Sequence, residues 1–426
     1  MEQLLHYVWK HKLFPLKPLL TAEGESIEII DPGQANYNAG PDFFNAKIKI
    51  GGVVWVGNIE IHQQSSEWER HGHHLDSNYD SVILHVASEI DASVRRSDGE
   101  TIPQLELHCP GYLSDNYRQL IEADRYPACY RLIPALPKLL LHSWLSRLQT
   151  ERFEQKTDKI MQLLGRHRKG WEHVFFIILA RNFGFGTNSD AFEFWAETIP
   201  LLAVNKHRDS LFQIEAFFFG QAGLLQEVPA DEYTDRLMKE YTYLSHKFGL
   251  RPSANSRWKL LRMRPDNFPH VRIAQLASFY YRSQGLLSAL MEAQSLKSLR
   301  DMLRCGTSEY WLTHYVFGEA SPPHPKTLSN QTIDLLVINT VIPFLYAYGK
   351  YKTDNILIQR ANGLLEEMRP ENNFIVRIWK ECGLEAAHAG DSQALIQLKK
   401  NYCDIKKCLY CRIGYEYLKK PQCGGQ

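Results

Sequence analysis

Residues 40–62 read GPDFFNAKIKIGGVVWVGNIEIH, two alternating apolar runs joined by Gly51 and Gly52. Alternation of apolar and polar residues is typical of half-buried strands, and a Gly-Gly pair tolerates the positive φ angles of a tight turn. We therefore predict an antiparallel β-hairpin in which Ile50 lies opposite Val53. The apolar residues then share one face of the hairpin; they are Phe44, Ala46, Ile48, Ile50, Val53, Trp55, Ile59 and Ile61.

The other face of the predicted hairpin is polar. The same register places Phe43 opposite Glu60. The polar face carries Asn45, Lys47, Asn58, Glu60 and His62. Strict alternation would direct Asp42 to the apolar face, so Asp42 can join Glu60 only if a bulge or an irregular strand start lies near Pro41, which cannot join a central ladder.

The order of elements around the hairpin resembles the core of the PD-(D/E)XK nuclease superfamily. An N-terminal helix containing Glu2 precedes a first strand around residues 27–30; Pro41-Asp42 then opens a second strand, and Glu60-x-His62 ends a third. The resemblance covers roughly the first quarter of the chain. It implies that Asp42 and Glu60 hold Mg²⁺ or Mn²⁺ and that Glu2 assists them. It further implies that residue 62 orients or activates the attacking water.

One residue departs from the superfamily pattern. The motif has Lys where this chain has His62. A histidine can donate a hydrogen bond or accept a proton near neutral pH, but it is not a permanent cation. Two functions therefore remain open: a metal-dependent phosphodiesterase acting on nucleic acid, or a non-catalytic nucleic-acid or protein-binding module that retains a nuclease-like core. Over its whole length the chain also resembles an uncharacterised bacterial protein family with no assigned function.

Histidines are dense just after the hairpin. Residues 68–76 read WERHGHHLD, and His85 lies within an apolar strand candidate over residues 82–87. Imidazole and carboxylate groups suit transition metals. Because some endonucleases of the resembled superfamily have histidines just after the third strand, His71 and His73 are candidates to flank a scissile phosphate of nucleic acid. The alternative is a polar surface loop whose histidines form local hydrogen bonds.

Composition limits the class of protein. The chain has 426 residues, of which 44% are hydrophobic and 23% charged, which is typical of a globular protein with two or three domains. A net charge of +1 gives no overall attraction to nucleic acid, so attraction to phosphate must come from local patches. The longest apolar segment, residues 335–348, is too short to span a membrane and contains Pro343. We expect a cytoplasmic protein without a membrane span.

The residue pattern changes after about residue 130. Alternation and turns dominate residues 21–108, whereas apolar residues recur at helical spacing from Leu139 onward. We predict an α+β, multidomain fold: an N-terminal α/β nuclease-like domain with a mixed sheet, followed by an all-α region. Proline-rich segments at 127–137 and 321–325 mark the breaks. The predicted domains are an α/β domain over residues 1–130, a helical domain over 138–320 and a helical C-terminal region over 326–426.

Arginines cluster around a proline-interrupted turn. They are Arg257, Arg262, Arg264 and Arg272. Guanidinium groups bind phosphate oxygens in a bidentate manner, so this turn is a candidate nucleic-acid contact. The alternative is a corner between helices that is held by hydrogen bonds from arginine to backbone carbonyls.

Three cysteines cluster near the C-terminus, at Cys403, Cys408 and Cys411. Thiolates at such spacing converge readily on one ion, and the spacing also matches the cysteine run of plant-type ferredoxins. We predict a zinc ion or an iron–sulfur cluster, with Cys382 as the fourth ligand and Cys423 as the alternative. The competing interpretation is that these are buried free thiols. The isolated cysteines are expected to be packing residues; they are Cys109, Cys129 and Cys305.

Overall fold

The computed structural model divides into two compact units. The sheet unit comprises Met1–Leu141 together with Lys399–Gln426, and the helical unit comprises His142–Leu398. The structure describes residues 2–14, 17–36, 38–124, 126–167, 170–225, 228–252, 258–283 and 285–420. The predicted α+β chain, with an N-terminal mixed sheet followed by helices, is confirmed.

In the described residues, all the strands lie in the first part of the chain, before α3. The strands are β1 (Leu19–Leu20), β2 (Ser26–Asp31), β3 (Gln34–Ala35), β4 (Phe43–Ile50), β5 (Val53–Gln64), β6 (Val82–Glu89) and β7 (Gln104–Glu106). The helices are α1 (Glu2–Lys10), α2 (Glu67–Arg70), α3 (Gly111–Glu122), α4 (Lys138–His167), α5 (Trp171–Phe183), α6 (Ser189–Thr198), α7 (Leu201–Asn205), α8 (Leu211–Gln221), α9 (Glu232–Phe248), α10 (Pro269–Arg282), α11 (Leu286–Glu292), α12 (Leu296–Leu303), α13 (Asn330–Leu336), α14 (Ile342–Lys352), α15 (Asn355–Glu367), α16 (Phe374–Glu381), α17 (Ala389–Leu398) and α18 (Arg412–Leu418).

The sheet is mixed, and β5 lies at its centre. The strand order is β1-β2-β4-β5-β6-β7, and β3 also pairs with β4. The pairs from β1 to β5 are antiparallel, whereas β5–β6 and β6–β7 are parallel. Residues Val82–Ala87 of β6 are all buried, as expected for a strand that is covered on both faces. The middle of β5, at Asn58 and Ile59, therefore lies between β4 and β6, whereas the C-terminal part of β5 pairs only with β6 among the described strands.

The turn end of the hairpin has the predicted register but not the predicted burial. Ile50 lies opposite Val53, which confirms the register there. Val53 and Trp55 are nonetheless 58% and 46% exposed. The prediction that both lie on a buried face is wrong, because β6 pairs with β5 only from Asn58 onward and leaves the start of β5 at an edge of the sheet.

A β-bulge decides where Asp42 lies. The pairing of β4 with β5 shifts by one residue between Phe43 and Ala46, where Asn45 adopts a φ of 55°. Phe43 consequently pairs with Ile59 and not with Glu60. Because a bulge places one extra residue on its strand, Asp42 reaches the level of Glu60.

A glycine in β5 allows the close approach of the next strand. A Cβ atom on Gly57 would lie 2.3 Å from Cγ2 of Ile83 and 2.8 Å from the carbonyl oxygen of Ser81. We expect Gly57→Ala to lower the free energy of unfolding by about 1–3 kcal/mol, because the backbone oxygen cannot move aside cheaply. Chemical denaturation measures the loss. Gly111→Ala is the control, since the space around Gly111 is open; a similar loss in both variants would contradict the prediction.

The division into units differs from the three domains expected from the sequence. Residues 321–325 lie inside the helical unit, and the chain from Lys399 onward belongs to the sheet unit. Side-chain contacts within the sheet unit explain the second difference. The buried Asn116 amide of α3 donates hydrogen bonds to the carbonyl oxygens of Leu418, at 3.2 Å, and Lys420, at 2.9 Å. These bonds hold the end of α18 against α3.

One helical stretch of the described chain is long and apolar enough to cross a membrane by length and composition. It covers Asn330–Lys352, and 72% of its most apolar window is buried inside the protein. The stretch exceeds the residues 335–348 recognised in the sequence, because a π-helical turn at Val337–Val341 continues α13 into α14. Burial of this extent is typical of a core helix, so the stretch is not a convincing membrane span.

Candidate metal centre

Two carboxylates lie side by side where β4 begins and β5 ends. The backbone N–H of Asp42 donates to Glu60 Oε2 at 3.1 Å, and the backbone N–H of Ile61 donates to Asp42 Oδ2 at 2.9 Å. The Glu60 side chain is only 7% exposed, and that of Asp42 is 23% exposed. The bulge at Asn45 makes this arrangement possible. The structure thus brings these two predicted site residues together.

Two imidazoles lie beside Glu60, and a third lies beside one of these two. Glu60 Oε1 lies 3.3 Å from Nε2 of His73 and 3.6 Å from Nε2 of His62. His71 Nδ1 lies 3.3 Å from His62 Nε2. Each of the three histidines offers one ring nitrogen, and these nitrogens all lie within 4.8 Å of one another. We call Asp42, Glu60, His62, His71 and His73 the acid–imidazole cluster.

The segment after β5 folds back over the strand to place His71 and His73. Gly72 follows α2 with a left-handed φ of 78°, which turns the chain into a short 3-10 helix. The His73 ring stacks on Tyr79 with 3.8 Å between ring centroids, and Trp68 meets His73 edge-on. Each histidine also contacts β5: His73 lies beside Glu60, and His71 lies beside His62.

A further histidine supports the cluster from β6. His85 pairs with Glu60 in the parallel β5–β6 register, and it is fully buried. Its Nε2 lies 2.8 Å from Nδ1 of His62. In one tautomer, the Nδ1–H of His62 donates a hydrogen bond to Nε2 of His85. The lone pair on His62 Nε2 then faces the cluster, as a metal ligand requires. The sequence signal for this role is a histidine inside an otherwise apolar strand.

Burial shifts the protonation of the cluster. It raises the pKa of Glu60 to about 7, and the charge of Asp42 adds to the rise. Burial also raises the pKa of Asp42. Burial and the neighbouring imidazoles lower the pKa of His62 to about 2, and burial lowers the pKa of His85 to about 4. The neutral imidazole of His62 beside the Glu60 carboxylate thus offers part of a donor set that a divalent cation would stabilise.

Helix α1 contributes a histidine and a more remote acid. His6 Nε2 lies 3.4 Å from Asp42 Oδ2, and the His6 side chain is partly exposed. Glu2, one turn earlier, raises the pKa of Asp42 through its charge, although less than burial does. The predicted assisting acid is therefore within electrostatic range of Asp42. No motif pointed to His6, but its i, i+4 spacing from Glu2 places both on one face of the helix.

The donors of the cluster suit a transition metal better than Mg²⁺. Imidazole nitrogens favour ions such as Zn²⁺, carboxylates also accept Mn²⁺, and Mg²⁺ requires near-octahedral oxygen ligands. His62, His71 and His73 could therefore hold Mn²⁺ or Zn²⁺, with Glu60 beside two of them and Asp42 beside Glu60. His71 is exposed and Asp42 partly so, which leaves one side of the cluster accessible.

The arginine turn does not present one exposed set of guanidinium groups. Arg272 is buried on α10, and its Nη1 donates to Gln275 Oε1 at 2.8 Å. The prediction that Arg272 contacts nucleic acid is wrong, because its guanidinium is used inside the helical unit. Arg262 and Arg264 are exposed, and Arg257 lies outside the described residues.

The C-terminal cysteines share a cavity within the sheet unit. Cys403, Cys408 and Cys411 line it together with Cys129. The predicted fourth ligand, Cys382, follows α16 in the helical unit and is not among the described residues that line this cavity. Cys423 lies outside the described residues. Cys129, an expected packing residue, lies beside the three C-terminal cysteines in this cavity.

Comparison with known proteins identifies a family and no characterised relative. A family model described as "Protein of unknown function (DUF2851)" matches residues 2–374. The match includes the acid–imidazole cluster and confirms the resemblance of the chain to an uncharacterised family. No curated protein and no solved structure matches the chain. Because the family model spans well over half of its length, the chain belongs to the DUF2851 family.

Proposed function

We propose that this protein is a metal-dependent phosphodiesterase that acts on nucleic acid, with the acid–imidazole cluster as its metal centre. The observation that carries the proposal is the close group of three imidazoles, two of them beside Glu60, which in turn binds the backbone N–H of Asp42. A divalent ion held there would supply positive charge for a phosphate and would lower the pKa of a bound water toward neutrality. Both effects serve the hydrolysis of phosphodiesters.

The elements around the cluster support this reaction class. Helix α1 and strands β2, β4 and β5 follow one another in the order that the PD-(D/E)XK resemblance implies. Asp42 immediately precedes β4, and Glu60 lies near the end of β5. The Lys of the motif is replaced by His62, whose low pKa keeps it neutral at physiological pH. Positive charge at this position must therefore come from the ion.

The positions of the side chains suggest a division of roles. Glu60, His62 and His73 hold the ion from the buried side, because all three are largely enclosed. Asp42 and the exposed His71 complete the ligand set at the accessible side. His85 orients His62 through the bond between their rings and does not touch the ion.

We expect the full-length protein to cleave nucleic acid in the presence of Mn²⁺, more slowly with Mg²⁺, and not at all with EDTA. The reason is that the imidazole donors bind Mn²⁺ better than Mg²⁺. Gel assays on single-stranded and double-stranded DNA and RNA measure the cleavage, while calorimetry measures metal binding in parallel. A protein that binds Mn²⁺ but leaves every substrate intact with Mn²⁺, Mg²⁺ and Zn²⁺ would instead be a non-catalytic binding module.

A further inference from the structure

Four thiols from distant parts of the chain meet in one cavity of the sheet unit. The cavity has a volume of about 110 Å³ and is lined by Cys129, Cys403, Cys408 and Cys411. In the described part of the chain no cysteine is paired in a disulfide. Cys129 comes from the segment between α3 and α4, whereas the other three belong to the C-terminal segment. This cavity is separate from the acid–imidazole cluster, since no residue of the cluster lines it.

Local structure fixes the three C-terminal sulfurs. Cys403 ends a π-helical turn, Cys408 begins a 3-10 turn, and Cys411 precedes the first residue of α18. Gly414 lets this turn approach the helix, because a Cβ there would lie 2.1 Å from the carbonyl oxygen of Cys408. The cysteine loop is therefore tightly folded on α18.

The rest of the sheet unit holds α18 in place without help from the cysteines. Asn116 of α3 binds the carbonyl groups at the end of α18. The Tyr415 ring packs against Tyr7 of α1 and His11, which follows α1, with ring centroids 6.4 Å and 4.9 Å apart. The segment with three cysteines is thus fixed opposite Cys129 before any ion is considered, which is the preorganisation that a ligand site needs.

Charged side chains surround the sulfurs. Lys406 and Lys407 line the cavity together with the four cysteines, as does Asp124. Lys406 Nζ donates a hydrogen bond to the carbonyl oxygen of Ile121, which holds this ammonium group at the cavity. Nearby ammonium groups favour thiolates, the form of cysteine that binds a metal.

The spacing of the sulfurs distinguishes between the metals. A structural zinc site is closed, with four sulfurs about 2.3 Å from one ion and no space between them. Sulfurs at that distance from one ion lie about 3.8 Å from each other. Among the described residues, only His62, His71 and His73 form a group of three or more ligand atoms that all lie within 4.8 Å of one another. The cysteine sulfurs are therefore spaced more widely than a single zinc ion requires. Iron–sulfur clusters take four cysteine thiolates and fill a larger volume.

We propose that Cys129, Cys403, Cys408 and Cys411 bind an iron–sulfur cluster that ties the C-terminal segment to the sheet unit. The cluster is a structural component, and its presence does not depend on the phosphodiesterase activity.

The test is the metal content of the full-length protein purified without oxygen. We expect iron and acid-labile sulfide in equal amounts, with the broad visible absorption of an iron–sulfur cluster. Cys129→Ser should lose the iron, the sulfide and the absorption, because a cluster with three thiolates is readily lost. Cys109→Ser is the matched control, since Cys109 belongs to the same unit but does not line the cavity; it should retain all three.

Several outcomes would overturn the proposal. Stoichiometric zinc without iron, or no metal at all, would do so whether or not the variants fold. Retention of the iron by Cys129→Ser would remove Cys129 from the ligand set. If Cys129→Ser does not fold, reconstitution of the wild-type apoprotein with Fe²⁺ and sulfide decides the question: recovery of the visible absorption and a higher melting temperature support the cluster, and the absence of both contradicts it.

Discussion

Glu60→Gln is expected to reduce metal-dependent cleavage about a thousandfold or more. Glu60 is the carboxylate nearest to the imidazoles, and Gln keeps its size while it removes the charge that a divalent ion needs. Loss of a metal ligand removes several kcal/mol of transition-state stabilisation, and each 1.36 kcal/mol is a factor of about ten in rate. Initial rates with Mn²⁺ and calorimetric titration of Mn²⁺ measure the effect. Glu106→Gln, an exposed acid on β7, is the control and should cleave normally.

The same substitution has an opposite effect on the stability of the metal-free protein. Because burial raises the pKa of Glu60 from 4.5 to about 7, the folded state binds more protons than the unfolded state between these values. Its contribution to stability is therefore present below pH 4.5 and is lost as the pH rises through about 7. Gln cannot ionise, so in EDTA at pH 8 the variant should be more stable than wild type by roughly 1–3 kcal/mol.

Urea denaturation at pH 5 and pH 8 checks this second effect. His62 and His85 have lowered pKa values, so they contribute stability that is lost as the pH falls below their unfolded pKa of 6.5. Both are neutral in the folded protein at pH 5 and pH 8, so the difference between wild type and variant at these pH values reports mainly on Glu60. A variant that is equally destabilised at both pH values would show that Glu60 is simply a hydrogen-bonding residue. Loss of cleavage without loss of Mn²⁺ binding would show that Glu60 does not hold the ion.

Local sequence patterns predict the strands that carry the site residues, but they do not predict that these residues lie close together. The Gly51-Gly52 turn and the apolar alternation suffice to place Ile50 opposite Val53, because register near a tight turn is set locally. The bulge that aligns Asp42 with Glu60 lies at Asn45, several residues beyond the expected position near Pro41. Asn tolerates a positive φ better than most residues, which is the only sequence signal for a bulge at this point.

Tertiary contacts account for the rest of the differences. His85 reaches His62 only because β6 adds in parallel beside β5, a pairing that no local pattern specifies. Cys129 was expected to be a packing residue because its sequence neighbours include no other cysteine. Its position at the C-terminal cysteines follows from the packing of α18 on α3. Periodicity likewise predicts that Trp55 faces a core, but it does not reveal where the neighbouring strand begins.

His62→Lys distinguishes two ways in which the cluster can hold a metal. In the PD-(D/E)XK pattern a Lys occupies this position and the carboxylates alone bind the ion. Here His62 is buried, with Nε2 toward Glu60 and Nδ1 toward His85. An ammonium group at this position would have to be buried beside the ion and would repel it.

We therefore expect His62→Lys to weaken Mn²⁺ binding by about a hundredfold or more and to abolish cleavage, because substitutions in the supporting shell alone cost about 10- to 100-fold in metal affinity. Calorimetry and the gel assay measure the two effects. His108→Lys is the matched control, since His108 is an exposed histidine of the same unit and should tolerate the change. Cleavage that persists or increases in His62→Lys would mean that Asp42 and Glu60 bind the ion without imidazole ligands, as the superfamily pattern implies, and that His62 only replaces its lysine.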